Sequence, residues 1–198
     1  MTRVIDYFFS IGSPWSYIGF DTFIELAARR GAEIAPYLTT VLEENGGIFS
    51  RNRPDVRRAY ATRDLQRWAR LRGKHLQLEN RPVLGDPTPA SLVVIAAYLD
   101  GRDWTALTTA LQYAFWAEAK DIGKADVREA IATEAGFDGK ALLSRERDDD
   151  VSSKWASDRE RAAATGVFGF PTYAYDGELY WGQDNLAFLE RHLAGDRP

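Results

Sequence analysis

Hydrophobic and polar positions along the chain follow two different periods, and the change from one to the other divides it into three stretches. Val4 to Ser10 is a short run rich in Val, Ile, Tyr and Phe, closed by Ile11-Gly12-Ser13-Pro14, which predicts a buried strand and then a tight turn. Ser13-Pro14 predicts a helix start, since serine accepts from free backbone N–H groups and proline tolerates the first helical position. Tyr17, Phe20, Ile24 and Ala27 then share one helical face, Gly31 is placed to end the helix, and Ile34 to Leu38 reads as a second strand. The opening is therefore strand, helix, strand.

Residues 43–54, with Gly46, Gly47 and Pro54, read as a loop. From Asp55 to about Asp150 the period is almost entirely helical, predicting helices over 55–72, 90–100, 104–119, 126–135 and 139–147. Thr88-Pro89 repeats the Ser/Thr-Pro start, Asp126 is an expected N-cap, and Gly101 and Gly136 sit where helix-ending glycines belong. A helix over about 152–165 stops at Gly166. Thr172–Tyr175 and Glu178–Trp181 are strands joined by Asp176-Gly177, a strong hairpin signal. Asp184 or Asn185 is expected to cap a last helix running to about Ala194.

Composition narrows the chemistry. The 198 residues are 45% hydrophobic and 27% charged, an ordinary globule. Cysteine is absent and histidine is limited to His75 and His192, which argues against disulfides, thiolate metal sites, thiol redox chemistry and a histidine metal cluster. The opening residues do not form a signal peptide and no run approaches a membrane span. The net charge of −4 argues against nucleic-acid binding. Its distribution is uneven: residues 51–74 carry nine Arg and Lys against Asp55 and Asp64, so +7, leaving −11 elsewhere. Arg63, Arg67, Arg70 and Lys74 form one stripe, read as a solvated face or as a positive field for an anionic ligand. Trp68, Trp104, Tyr113, Phe115 and Trp116 read first as helix core, with one or two of them available to line an apolar site.

Two motifs carry chemistry. Phe170-Pro171 precedes a strand; alone it reads as an edge-strand start, with a cis peptide as the alternative. Ser13-Pro14-Trp15-Ser16 joins the first strand to the first helix, where open α/β sheets bind ligands; alone Ser13 reads as an N-cap. Together, with the helical stretch between them, they resemble the DsbA-like branch of the thioredoxin superfamily, with serine at both positions of its usual C-x-x-C. Tyr7-Phe8-Phe9-Ser10, Gly166-Val167-Phe168-Gly169-Phe170-Pro171-Thr172, Trp181-Gly182-Gln183-Asp184-Asn185-Leu186, and Gly47-Ile48-Phe49, Asn52, Pro54, Tyr60 and Asp64-Leu65 together resemble the 2-hydroxychromene-2-carboxylate isomerases, relatives of the kappa-class glutathione transferases. The resemblance spans nearly the whole chain. Asn185 stands where that pattern usually has arginine, and the loop Ser50-Arg51-Asn52-Arg53-Pro54 lacks its lysines.

The resemblance implies an α/β, thioredoxin-like fold with an inserted all-helical subdomain: residues 1–40 and 155–198 form the thioredoxin-like domain and 41–154 the insertion. It implies a cytoplasmic homodimer using glutathione to interconvert 2-hydroxychromene-2-carboxylate and trans-o-hydroxybenzylidenepyruvate. The alternatives are a kappa-type transferase and a non-enzymatic glutathione or peptide binder. Ser13 would be catalytic, activating the glutathione thiol rather than attacking substrate, because neither histidine belongs to an evident triad. Phe170, Pro171, Gln183, Asp184, Asn185 and Asn52 would hold glutathione, through a cis Phe170–Pro171 segment and a γ-glutamyl site at Gln183-Asp184. Trp15, Arg51, Asn52 and Arg53 would meet a small aromatic carboxylate. No metal, nucleic acid or membrane is expected.

Overall fold

The computed structural model describes residues 3–79 and 81–197. Four strands form one sheet in the order β2-β1-β3-β4: β1 (Arg3–Phe9), β2 (Ala32–Leu38), β3 (Thr172–Tyr175) and β4 (Glu178–Trp181). The β1–β2 pair is parallel, with Tyr7 opposite Pro36, and the β1–β3 and β3–β4 pairs are antiparallel. Pro36 is compatible with this position because β2 is an edge strand. The sheet thus takes its strands from the two ends of the chain, and the described residues between Leu38 and Thr172 are all helix or loop.

Helix α1 (Pro14–Arg30) ends at Gly31 in the left-handed conformation, as its sequence predicts. It is followed by α2 (Asp55–Leu71), α3 (Thr88–Leu99), α4 (Trp104–Trp116), α5 (Ala125–Glu134), α6 (Gly139–Ser144), α7 (Asp149–Thr165) and α8 (Leu186–Leu193). None is long and apolar enough to cross a membrane. One continuous apolar core runs from the sheet into these helices: Ile5, Tyr7 and Phe9 of β1 pack with Phe20 and Phe23 of α1, Val93 and Val94 of α3, and Leu107 and Leu111 of α4. Tyr7 stacks between Phe9 and Tyr173, with ring centroids 4.4 and 5.3 Å away. Burying rings of this size on one face of β1 is a large favourable term in holding helices to sheet.

Helix ends differ from the sequence expectation where side-chain chemistry was misassigned. Asp126 lies inside α5, whose N-cap is Lys124. At α3 the Thr88 N–H and hydroxyl both donate to Asp86 Oδ1 (3.0 and 2.7 Å), so Asp86, not Thr88, serves the helix start. Neither Asp184 nor Asn185 caps α8 through its side chain; the Asn185 amide instead donates back to the Trp181 carbonyl at 2.7 Å. Helix α4 stops three residues before the expected Ala119, which has φ 53°, and α7 starts three residues earlier than expected, at Asp149.

Candidate active site

Ser13 closes the β1–α1 turn, with φ −90° and ψ 118°, and its Oγ accepts the Ser16 N–H at 3.2 Å. It is therefore the N-cap its sequence predicts. The hydroxyl proton has a second direction: Ser13 Oγ donates to the Phe170 carbonyl at 3.4 Å, a long, weak bond that a better acceptor readily displaces. The first turn of α1 carries no acidic side chain, so the partial positive charge at the start of this 17-residue helix is uncompensated by its own residues. Ser16 is fully buried. Burial pushes the Tyr7 phenol well above its ordinary range, the neighbouring Tyr173 adds to this, and the Ser16 hydroxyl opposes it. Tyr7 thus stays protonated beneath the helix start.

The facing loop is held from several sides. The Phe170–Pro171 peptide is cis. Pro171 does not start an edge strand: β3 lies between β1 and β4, and Pro171 stands just outside the ladder, its carbonyl accepting the Gly182 N–H at 2.8 Å. Asn45 donates to the Ala163 and Val167 carbonyls at 3.1 and 2.9 Å, clipping the loop before α2 onto this segment. Gly47 completes the fit, for a Cβ there would overlap the Phe168 carbonyl oxygen and lie 2.7 Å from that of Leu42.

The β4–α8 turn adds the next set. Gln183 is buried, at 1% exposure, packed so closely against Gly19 of α1 that a Cβ on that glycine would overlap the Gln183 side chain. Gln183 Oε1 accepts Arg72 Nε at 3.1 Å and its carbonyl accepts Arg72 Nη2 at 3.4 Å. The Gln183 side-chain oxygen is thus committed to Arg72, and Asp184 is the exposed carboxylate of the turn.

The remaining residues singled out in the sequence divide. Trp15 belongs to a satellite cluster between α1 and α2 with Tyr17, Ile18, Leu65, Ala69, Trp68 and Trp116. Arg51, Asn52 and Arg53 lie on a separate 3-10 turn: Asn52 and Arg53 donate within it to Phe49 and Ser50 carbonyls, and the Arg51 guanidinium sits 4.3 Å over the Phe49 ring. Among the described residues, no hydrogen bond or ion pair joins these three to Ser13. Trp104 is core, against Phe9 and Phe20, whereas Trp116 reaches the site by donating its indole N–H to the Ile11 carbonyl at 3.2 Å. His192 is buried in α8, bonded to Tyr180 at 2.8 Å, and His75 is exposed; among the described residues neither imidazole bonds to Ser13.

Sequence reasoning missed Arg72 and Asn45. Arg72 was visible only as one charge among nine. Its isolation from the outward stripe was legible in principle, because it follows the last turn of α2.

The model of the DsbA-like thioredoxin domain matches residues 4–194. The 2-hydroxychromene-2-carboxylate isomerase of Sphingobium xenophagum is 30% identical over 98% of this chain and 99% of its own length. The chain belongs to the 2-hydroxychromene-2-carboxylate isomerase family of DsbA-like thioredoxins. The Pseudomonas putida isomerase is 26% identical over 94% of this chain and 92% of its own. Among solved structures, a 2-hydroxychromene-2-carboxylate isomerase superposes with TM-score 0.80 at 24% identity, covering 97% of this chain and 95% of that one. The cytosolic disulfide reductase DsbM of Pseudomonas aeruginosa, solved with GSH, gives 0.69 at 22% identity over 96% and 99%. These likenesses confirm the thioredoxin-like fold with its helical additions.

Proposed function

We propose that the protein is a glutathione-dependent isomerase that interconverts 2-hydroxychromene-2-carboxylate and trans-o-hydroxybenzylidenepyruvate or a close aromatic analogue. The carrying observation is the Ser13 hydroxyl at the acid-free start of α1, 3.4 Å from the Phe170 carbonyl, in a chain without cysteine. The surroundings fit glutathione. The Phe170 backbone lies outside the β-ladder, whose β1–β3 pairing begins at Thr172, and so can pair with an extended peptide. Asp184 offers a carboxylate to an ammonium at the adjacent turn. Bound there, glutathione supplies a thiol whose reversible addition turns a C=C bond into a rotatable single bond.

The chain's own groups hold charge and protons. Ser13 Oγ can turn its proton from Phe170 toward an anion, a bond to a charged partner worth about 1.5–3 kcal/mol. The α1 N-terminus adds about 0.3–1 kcal/mol. Together they match the roughly 2.7 kcal/mol that lowering a thiol pKa by about two units requires. The aromatic cluster around Trp15 and Trp116 gives the turn an apolar flank. The same reading includes a cytoplasmic setting, a homodimer, and the division into residues 1–40 with 155–198 and a helical insertion over 41–154; the family resemblance supports these.

Ser13→Ala is expected to raise the pKa of bound glutathione by about one to two units and to slow isomerisation about 10–100-fold near neutral pH, with recovery at higher pH. Thiolate absorbance and isomer absorbance check both. Identical titrations in variant and wild type overturn the role of Ser13. Net consumption of glutathione would identify a transferase instead.

A further inference from the structure

We infer that Arg81 is a ligand-binding residue that takes the carboxylate of a planar aromatic ligand lying against Trp116, beside the Ser13 turn. The inference rests on the proposed reading for its substrate class but on separate residues for its geometry. The Arg81 guanidinium carbon lies 4.4 Å from the Phe115 ring centroid and 4.5 Å from that of Trp116. Those rings stand nearly perpendicular, at 83°, so the cation is set into an aromatic corner. It donates to the Gln77 carbonyl at 3.3 Å and to the Phe115 carbonyl. Both acceptors are neutral, and no carboxylate of the described residues lies within 4 Å of it.

Several other half-buried or buried cations have a carboxylate partner, whereas Arg72 shares Arg81's lack of one, bonding only the two oxygens of Gln183. Lys74 pairs with Asp21 at 2.5 Å, Lys154 with Asp158, and Arg128 with Glu146 at 2.7 Å. Burial lowers the Arg81 pKa, as expected for a cation left without a compensating anion. A guanidinium carries five N–H donors, and the two carbonyls use two of them; the remainder suit a carboxylate's paired oxygens.

The corner adjoins the reactive turn. Trp116, the ring under Arg81, donates its indole N–H to Ile11, two residues before Ser13. The segment carrying Arg81 returns to the same turn, where a Cβ on Gly12 would lie 2.6 Å from Pro87 Cγ. Trp15, two residues after Ser13, and Trp116, under Arg81, pack against the same apolar cluster, so aromatic side chains adjoin both the reactive turn and the cation. An apolar ring system with a single terminal carboxylate matches that order of chemistry. Arg51 and Arg53, which the sequence offered for this task, lie on a different turn, and among the described residues neither bonds to Ser13.

The test uses the full chain without glutathione and a probe that cannot isomerise, 2-naphthoate, compared with neutral 2-naphthamide by calorimetry. Wild type is expected to bind the acid at least tenfold tighter than the amide. Arg81→Gln should reduce that ratio to near one, and Arg81→Lys should restore part of it. Phenylglyoxal labelling of wild type, mapped by mass spectrometry, should show Arg81 protected by the acid and not by the amide, a readout independent of variant folding. Equal affinity of wild type for acid and amide, no binding of the acid, or an Arg81→Gln variant as selective as wild type each overturns the assignment. Absent isomerase activity with intact Arg81-dependent binding would sink the isomerase reading alone; active enzyme with unchanged naphthoate binding in Arg81→Gln would sink only the inference.

Discussion

The two sides of the Ser13 turn are built on opposite principles. On the sheet side, the 167–171 segment, the β4–α8 turn and α1 meet with almost no tolerance: Gly19 and Gly47 have no room for a Cβ, and Asn45 and Arg72 use backbone carbonyls as anchor points. On the α2 side, residues 50–63 are mostly exposed, including Val56 at 77% and Tyr60 at 54%, and α2 commits only Leu65 and Ala69 fully to the core. The tight side is the one on which the proposed glutathione would be held in place. The open side sets charge and access without fixing any atom. Shape and field are thus assigned to different parts of the chain, and substitutions on the two sides should fail in different ways.

Gly47→Ala tests the tight side most severely. Its Cβ meets backbone oxygens, which cannot swing aside as a side chain would. Overpacking of this kind costs about 1–3 kcal/mol. The variant should show a lower denaturant midpoint and, because the 167–171 segment must shift, weaker glutathione binding. Unchanged stability and affinity together would mean that this side is as yielding as the other. Asp184→Asn is the next largest: it removes charge at an exposed position that makes no helix cap, so stability should hold while glutathione affinity falls about tenfold, or about 1.4 kcal/mol. Calorimetry checks it, and equal affinity would remove the γ-glutamyl site from this turn.

A smaller effect, with a defined pH dependence, lies where α1 meets α8. Arg29 and Arg30 donate to Glu190 Oε1 at 3.3 and 3.0 Å. Burial pushes the Glu190 carboxyl up, but the hydrogen bonds and charges of the two arginines outweigh it and hold the carboxyl below its ordinary range. A depressed folded pKa contributes stability above the unfolded pKa and loses it as pH falls through the folded value. The pair is partly solvated, with side-chain exposures of 55%, 38% and 30%, so Glu190→Gln should lose only about 0–1 kcal/mol at pH 7. The gap to wild type should close under acid conditions below the carboxylate range. A gap that persists there would assign the effect to packing.

Strands and helix types were legible because each has a dominant local period; β3 and β4 match their sequence limits residue for residue. The Ser13 cap was legible because serine before proline has few roles at a helix start, whereas the cis Phe170–Pro171 peptide was expected only through the family resemblance. What escaped was set by distant partners. Asp86 displaced Thr88 as the helix-start acceptor because both lie in one turn and a carboxylate accepts better than a hydroxyl. Arg72, 111 residues away, takes the side-chain oxygen of Gln183 and leaves its amide nitrogen unpartnered, a division of the amide that no local pattern shows. Pro171 read as an edge-strand residue because strand order cannot be seen in a local pattern. Arg81 drew no notice, since a cation's lack of a partner becomes visible only when the fold brings up its neighbours.

The open side should yield the smallest stability effect and the clearest kinetic one. Arg57, Arg63 and Arg70 are exposed and make no ion pair among the described residues, whereas Arg58 pairs with Asp55. Glutamine has nearly the same helix propensity as arginine. The triple change Arg57→Gln, Arg63→Gln, Arg70→Gln should therefore alter folding free energy by no more than about 0.5 kcal/mol per site. It removes three of the charges that make residues 51–74 strongly positive. A charged surface accelerates encounter with an anion without touching it once bound, and salt screens that acceleration over about 10 Å at 0.1 M. Stopped-flow binding of glutathione should show a slower association rate at low ionic strength, an unchanged dissociation rate, and convergence with wild type at high salt. A faster dissociation rate, or a stability loss well above that range, would show that this face is packed against something, and the contrast between a shaping side and a charging side would fall.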